Sequence, residues 1–133
     1  MLYNEVIPNL YHGNQQASAV LDTVDVVISI GCKPKCQEES SKMLYKVAMQ
    51  DSKESDLKKH LSEVTELMDR EMKRGKKVLL HCQAGINRST AFLLAYLCKY
   101  KKLGVEEARE LILAKRPRVR FQKHYVAQIV DWL

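Results

Sequence analysis

Apolar residues in this chain recur with two different periods, and the change from one to the other divides it into strands and helices. Leu57, Leu61, Val64, Met68 and Met72 stand three or four positions apart, the spacing that lines up side chains on one face of a helix. Residues 56–74 therefore read as an amphipathic helix whose Leu/Met stripe faces a core and which ends at Gly75. Short apolar runs at 26–30, 43–47 and 77–81 read as strands, and residues 5–12 as further short strand material. Residues 14–22 are expected to form a first helix capped by Asn14, and residues 32–41, which contain Pro34, a loop. Residues 90–97 are apolar almost throughout, which suits a buried helix. Gly104 punctuates the chain; Val105, Ala108, Leu111 and Ile112 then mark another helix, and a last one spans about 122–132 with Tyr125, Ile129 and Trp132 on one face. Strands alternating with helices predict an α/β fold, a single compact domain over residues 1–133 with a central, mostly parallel sheet flanked by helices.

Length and composition support one domain with a sizeable core: 133 residues, 46% of them hydrophobic. No internal repeat, low-complexity tract or membrane-length apolar run is visible. No basic segment followed by an apolar one opens the chain, so neither a secretory signal nor a membrane partner is expected. Four cysteines, Cys32, Cys36, Cys82 and Cys98, suit a reducing compartment, cytoplasmic or nuclear. Cys32-x3-Cys36 has the look of a metal or redox pair, but His12, His60, His81 and His124 are scattered, so surface-loop cysteines are the default and no metal is expected. The net charge of +6 is uneven: residues 99–123 carry nine Lys or Arg against three Glu, which accounts for the whole excess. Such a stretch is either a solvated helix end and loop or a surface that steers anionic partners. It lacks the aromatic interleaving of a base-stacking platform.

The chemistry concentrates at His81-Cys82-Gln83-Ala84-Gly85-Ile86-Asn87-Arg88-Ser89. Here a strand runs into a short loop and then a helix, an arrangement that presents unpaired backbone N–H groups to an anion. The helix N-terminus, the converging amides of residues 83 to 88 and the Arg88 cation all favour the thiolate of Cys82, the nucleophilic form. Arg88 adds a planar fork able to hold two oxygens of a transferring phosphoryl group. Gly85 permits the turn and the close approach of backbone to the oxygens. Ser89 has a hydroxyl to donate to Cys82 when the sulfur becomes the leaving group. The plainer reading of Cys82 is a strand-end cysteine packed like a small hydrophobe, but the flanking His81, Gly85 and Ser89 favour catalysis.

These residues resemble the dual-specificity branch of the protein tyrosine phosphatase superfamily, the Cys-x5-Arg enzymes, and the resemblance extends over nearly the whole chain. Ile7-Pro8-Asn9-Leu10-Tyr11-His12-Gly13-Asn14 is similar to the family's opening segment, with His12 where a hydrophobic residue usually stands. Residues 25–30 resemble its first central strand, 115–119 the segment before its last helix, and 125–129 the start of that helix. The resemblance implies a general acid on a loop about thirty residues before the cysteine, and Asp51 lies 31 residues before Cys82. Asp51 would then protonate the leaving oxygen and later take a proton from the attacking water. Asp56 competes for that role but stands at the start of the predicted helix, where capping suits it better; Asp22 and Asp25 read as loop and strand-edge residues. Gln83, Ala84, Gly85, Ile86, Asn87 and Arg88 would hold the phosphate, with His81 orienting the loop. No metal or organic cofactor is implied.

The implied function is a dual-specificity protein phosphatase acting on phosphotyrosine, phosphoserine and phosphothreonine of a phosphorylated protein substrate, through a cysteinyl-phosphate intermediate and a shallow pocket. Asn87, where serine is frequent, also occurs in the superfamily's RNA 5′-phosphatases, so RNA 5′ ends are the alternative substrate. A non-catalytic phosphoprotein-binding module is a third reading, weakened by the presence of Cys82, Arg88 and Asp51 together. Rhodanese-like sulfur transfer and arsenate reduction leave Asp51 and Ser89 unexplained. Phe121-Gln122 and His124 replace the family's usual residues beside the site, and Ile86 stands where 3-phosphoinositide phosphatases carry lysine.

Overall fold

The computed structural model describes residues 2–35, 42–50, 52 and 56–133. The elements run β1 (Tyr3–Ile7), β2 (Leu10–Gly13), α1 (Ala17–Val20), β3 (Val26–Ile30), β4 (Met43–Val47), α2 (Lys58–Lys73), β5 (Val78–His81), α3 (Arg88–Tyr100), α4 (Val105–Lys115) and α5 (Lys123–Trp132). They build one five-stranded sheet in the order β1-β2-β5-β3-β4. All pairs are parallel except the β1–β2 hairpin at one edge.

Alternation along the strands explains why β3 and β5 are buried from end to end. Val26, Ile28, Ile30, Val78 and Leu80 point into the larger core, with Leu61, Val64 and Met68 of α2 and Phe92 to Leu97 of α3. Val27 and Leu79 point the other way, into a smaller cluster closed by Ala17 and Leu21 around α1. Helices thus cover both faces, as a mainly parallel sheet requires. Ser89 through Cys98 are all buried, so α3 is the central helix of the larger layer.

The structure refines the expected elements at one place and corrects them at another. The short strand material expected over residues 5–12 is divided between β1 and β2, because the chain turns at Pro8–Asn9. Asn9 adopts a φ of 71°, a left-handed conformation that asparagine tolerates better than most residues. The first helix is a single turn, Ala17–Val20, although Asn14 Oδ1 does accept the Ala17 N–H at 3.1 Å. Elsewhere local chemistry behaves as expected. Asp56 Oδ1 accepts the Lys59 N–H at 3.3 Å at the start of α2, and Asp25 Oδ2 accepts the Lys77 N–H at 2.9 Å at the strand edge.

Two registers place the site. Gly13 of β2 and Ser29 of β3 are both paired with His81 of β5. The carboxyl ends of three strands therefore meet around the residue before Cys82, where sheets of this kind usually bind ligands. Leu80 is fully buried on β5, so Leu80→Ala should lower unfolding free energy by about 2–5 kcal/mol, read from urea denaturation.

Candidate active site

A loop that offers its amides to an anion has to send its carbonyls elsewhere. Loop 82–87, between β5 and α3, does this with three anchors. Gln83 O accepts the Gln15 N–H at 3.1 Å and Ile86 O accepts the Arg120 N–H at 3.0 Å. Gly85 O accepts from Arg116 Nη2 at 3.4 Å. Within a planar trans peptide the carbonyl and the following N–H point in opposite directions. Carbonyls drawn outward at 83, 85 and 86 therefore turn the amides of Ala84, Ile86 and Asn87 toward the concave side. Gly85 has a φ of +70°, and a Cβ there would come within 2.7 Å of the Gly13 backbone, so glycine is required on both counts.

Cys82 is 2% exposed, and its Sγ lies 3.0 Å from Ser89 Oγ. His81 is fixed by Ser29 Oγ, 2.8 Å from its Nε2, while its Nδ1 faces the Cys82 carbonyl oxygen at 3.3 Å. The histidine thus clamps the backbone at Cys82, and burial pushes its titration below the ordinary value. Cys32 Sγ sits 3.7 Å from the same Nδ1. Cys32 is accordingly only partly exposed, less free than a surface-loop cysteine, and burial pushes its thiol up.

Arg88 stands at the first position of α3 and donates from Nη1 to the carbonyls of Met49 at 3.1 Å and Gly31 at 3.3 Å. These contacts fix the guanidinium against the ends of β3 and β4. Gly31, at φ +69°, makes room for it: a Cβ there would overlap the Arg88 guanidinium and the Met49 carbonyl.

Two further residues belong to the site that sequence reasoning did not assign to it. Arg116, counted there only as part of a basic run, is 8% exposed and bridges Gly85 O to Asn4 Oδ1, the latter at 3.0 Å. Burial lowers its proton affinity, while the neighbouring Cys82 charge acts in the opposite sense. His12 is fully buried with Nε2 2.7 Å from Ser89 Oγ. Its polar character at an otherwise apolar strand position was the only visible signal. Other cations of the basic stretch have local partners: Lys99 lies over the Trp132 ring at 4.4 Å and Arg109 over Phe121 at 5.1 Å.

The structure therefore gathers Cys82, Gln83, Ala84, Gly85, Ile86, Asn87, Arg88, Ser89 and His81 around one loop. Asp51 and Cys36 lie outside the described residues. Among the described residues no cluster of side chains is suited to hold a metal ion.

A sequence model of the dual specificity phosphatase catalytic domain matches residues 10–133. The chain is similar to the tyrosine-protein phosphatase vhp-1 of Caenorhabditis elegans, 26% identical over 96% of this chain and 20% of that protein. It is similar also to human dual specificity protein phosphatase 5, 29% identical over 96% of this chain and 35% of that protein. The chain thus spans between a fifth and about a third of the length of these relatives. In fold it is similar to the crystal structure of human tyrosine phosphatase-like serine/threonine/tyrosine-interacting protein, with a TM-score of 0.90 and 21% identity over 98% of this chain and 94% of the other.

Burial of His12 also gives the site a pH signature. Desolvation, followed by the charges of Arg116 and His81, lowers the ring from 6.5 to about 3. The unfolded chain then binds a proton that the folded one refuses, so the stability is complete above pH 6.5 and is lost as pH falls toward 3. Between pH 7 and pH 5 His12 alone should remove about 2 kcal/mol of unfolding free energy. Urea titrations at the two pH values should show a pH dependence flatter by about that amount in His12→Leu.

Proposed function

The chain belongs to the dual specificity phosphatase catalytic-domain family, and from that membership we propose that it hydrolyses phosphate monoesters of phosphorylated proteins through a cysteinyl-phosphate intermediate, as one catalytic domain over residues 1–133. The observation that carries the reading is the loop with its carbonyls anchored at Gln83, Gly85 and Ile86 and with Cys82 at its start, the sulfur 3.0 Å from Ser89 Oγ. That geometry supplies donors for the equatorial oxygens of a phosphoryl group, and phosphoryl transfer depends chiefly on such positioning and charge stabilisation.

In the proposed cycle Cys82 Sγ attacks phosphorus from beneath the loop. The S–P bond forms as the P–O bond to the substrate breaks, and Asp51 gives its proton to the departing oxygen. Arg88 and the loop amides hold the three remaining oxygens; Arg88 makes its two described bonds through Nη1 alone, which leaves Nε and Nη2 for the phosphoryl group. Water then attacks phosphorus, Asp51 takes its proton, and the sulfur departs as thiolate with the Ser89 hydroxyl beside it. Asp51 enters by family resemblance. The thiol chemistry suits a reducing compartment, cytoplasm or nucleus; among the described residues no helix is long and apolar enough to cross a membrane.

A second substrate reading, RNA 5′-triphosphate or diphosphate ends, is favoured by the Asn87-Arg88 pair and by the excess of nine basic over three acidic residues at 99–123. Initial rates of phosphate release from a doubly phosphorylated Thr/Tyr peptide and from 5′-triphosphate RNA, with Cys82→Ser as blank, separate the two. Faster release from the peptide is expected, and faster release from RNA would move the chain to RNA end processing. Asp51→Asn should lower kcat by about 10²–10⁴-fold and remove the basic limb of the pH–rate profile. An unchanged profile would remove Asp51 from the acid role.

A further inference from the structure

Three polar groups from distant parts of the chain form a line behind the nucleophile: His12 on β2, Ser89 at the start of α3, and Cys82 after β5. His12 Nε2 is 2.7 Å from Ser89 Oγ, which is 3.0 Å from Cys82 Sγ. His12 and Ser89 have no exposed surface and Cys82 is only 2% exposed, so each proton in the line must be directed at a neighbour. We propose that His12 is a positioning residue for the nucleophile, its Nε2–H held on Ser89 Oγ so that the Ser89 hydroxyl proton is turned onto Cys82 Sγ. The proposal rests on the phosphatase reading for its use in the reaction, though not for its geometry.

The direction of the line follows from where a neutral imidazole can keep its single proton. Nδ1 of His12 is buried and has no hydrogen-bond partner among the described residues. A proton placed there would be an orphaned buried donor, which native structures avoid more strictly than an orphaned acceptor. The proton therefore belongs on Nε2, which makes His12 the donor and Ser89 Oγ the acceptor. Thr90 Oγ1, at 3.5 Å from the same nitrogen, is at the limit of bonding and competes weakly. With its oxygen already accepting, the Ser89 hydroxyl has one partner left for its own proton, the Cys82 sulfur. A donor chain of this kind polarises along its length and strengthens the last bond.

His12 does not act as a base in this line. The ionisable groups facing it are His81 from β5, Arg116 from the segment after α4, and Cys82 across Ser89, while β1 sets the uncharged Asn4 opposite. Burial, together with the Arg116 cation, keeps the ring neutral at working pH. It therefore cannot take the Cys82 proton through Ser89, and the reverse relay is closed. The chain favours the thiolate before attack and again when sulfur leaves phosphorus. Leucine or another apolar residue at position 12 would fill the space but leave the Ser89 hydroxyl free to rotate toward other acceptors.

The test is the pH dependence of iodoacetamide alkylation at Cys82 in the wild type, His12→Leu, His12→Gln, Ser89→Ala and the double variant His12→Leu/Ser89→Ala. His12→Leu should move the alkylation midpoint up by about one pH unit, a tenfold change in the thiol–thiolate equilibrium. It should also lower kcat about tenfold, with kcat/KM unchanged above the new midpoint. Glutamine places an N–H donor near the position of Nε2 and should restore the wild-type midpoint. In the Ser89→Ala background His12→Leu should add nothing. An unshifted midpoint in His12→Leu, or a shift of equal size without Ser89, overturns the proposal. Should His12→Leu not fold, His12→Asn against His12→Gln makes the same comparison, because only the longer amide reaches Ser89. A wild type that alkylates normally but releases no phosphate would overturn the phosphatase reading, and the alkylation series would still decide the relay.

Discussion

The structure depends on one constraint: a backbone loop can be an anion site only if something else satisfies its carbonyls. Gln15, Arg116 and Arg120 meet that demand at Gln83, Gly85 and Ile86. They come from the segment before α1 and from the segment between α4 and α5, so both ends of the chain have to close on the loop. The sheet order β1-β2-β5-β3-β4 makes this feasible. It puts β5 between β2 and β3, with Gly13 and Ser29 flanking His81 at the strand ends. Glycine at positions 13, 31 and 85 lets backbone and guanidinium groups approach where any side chain would collide.

A second consequence concerns charge. The loop that begins at Cys82 is held between two arginines with fixed attachments, Arg88 on the Gly31 and Met49 carbonyls and Arg116 on Gly85 and Asn4. It is also flanked by two buried histidines whose titration is displaced downward. Neutral imidazoles contribute directed hydrogen bonds without adding repulsion to the cations, and guanidinium groups supply the positive field without needing to titrate. Each residue type therefore occupies the place its protonation behaviour suits. The electrostatic preorganisation lies in the fold before any substrate arrives.

Much of this was legible in the sequence, for reasons that particular residues make plain. The period of Leu57, Leu61, Val64, Met68 and Met72 fixes α2, and the loop from His81 to Ser89 is contiguous, so both its chemistry and its strand-to-helix setting can be read locally. The hairpin was missed because it depends on a positive φ at Asn9, which no periodicity reports. The length of α1 was overestimated because an N-cap predicts where a helix starts and says little about where it stops. Arg116 was hidden among neighbours of the same charge, and only burial separates it from Arg118 and Arg120. His12 lies 77 positions from Ser89, so their contact belongs to tertiary structure alone. Asp51 rests on family resemblance and lies outside the described residues.

The central claim is that Cys82 becomes covalently phosphorylated during turnover. Acid quenching within the first turnover of a phosphorylated peptide, followed by digestion and mass spectrometry, tests it most directly. The account predicts a phosphoryl increment on the peptide containing Cys82, absent from Cys82→Ser and present in larger amount when Ser89 is replaced by alanine. Phosphate release in full while Cys82 stays unmodified at every quench time would contradict it.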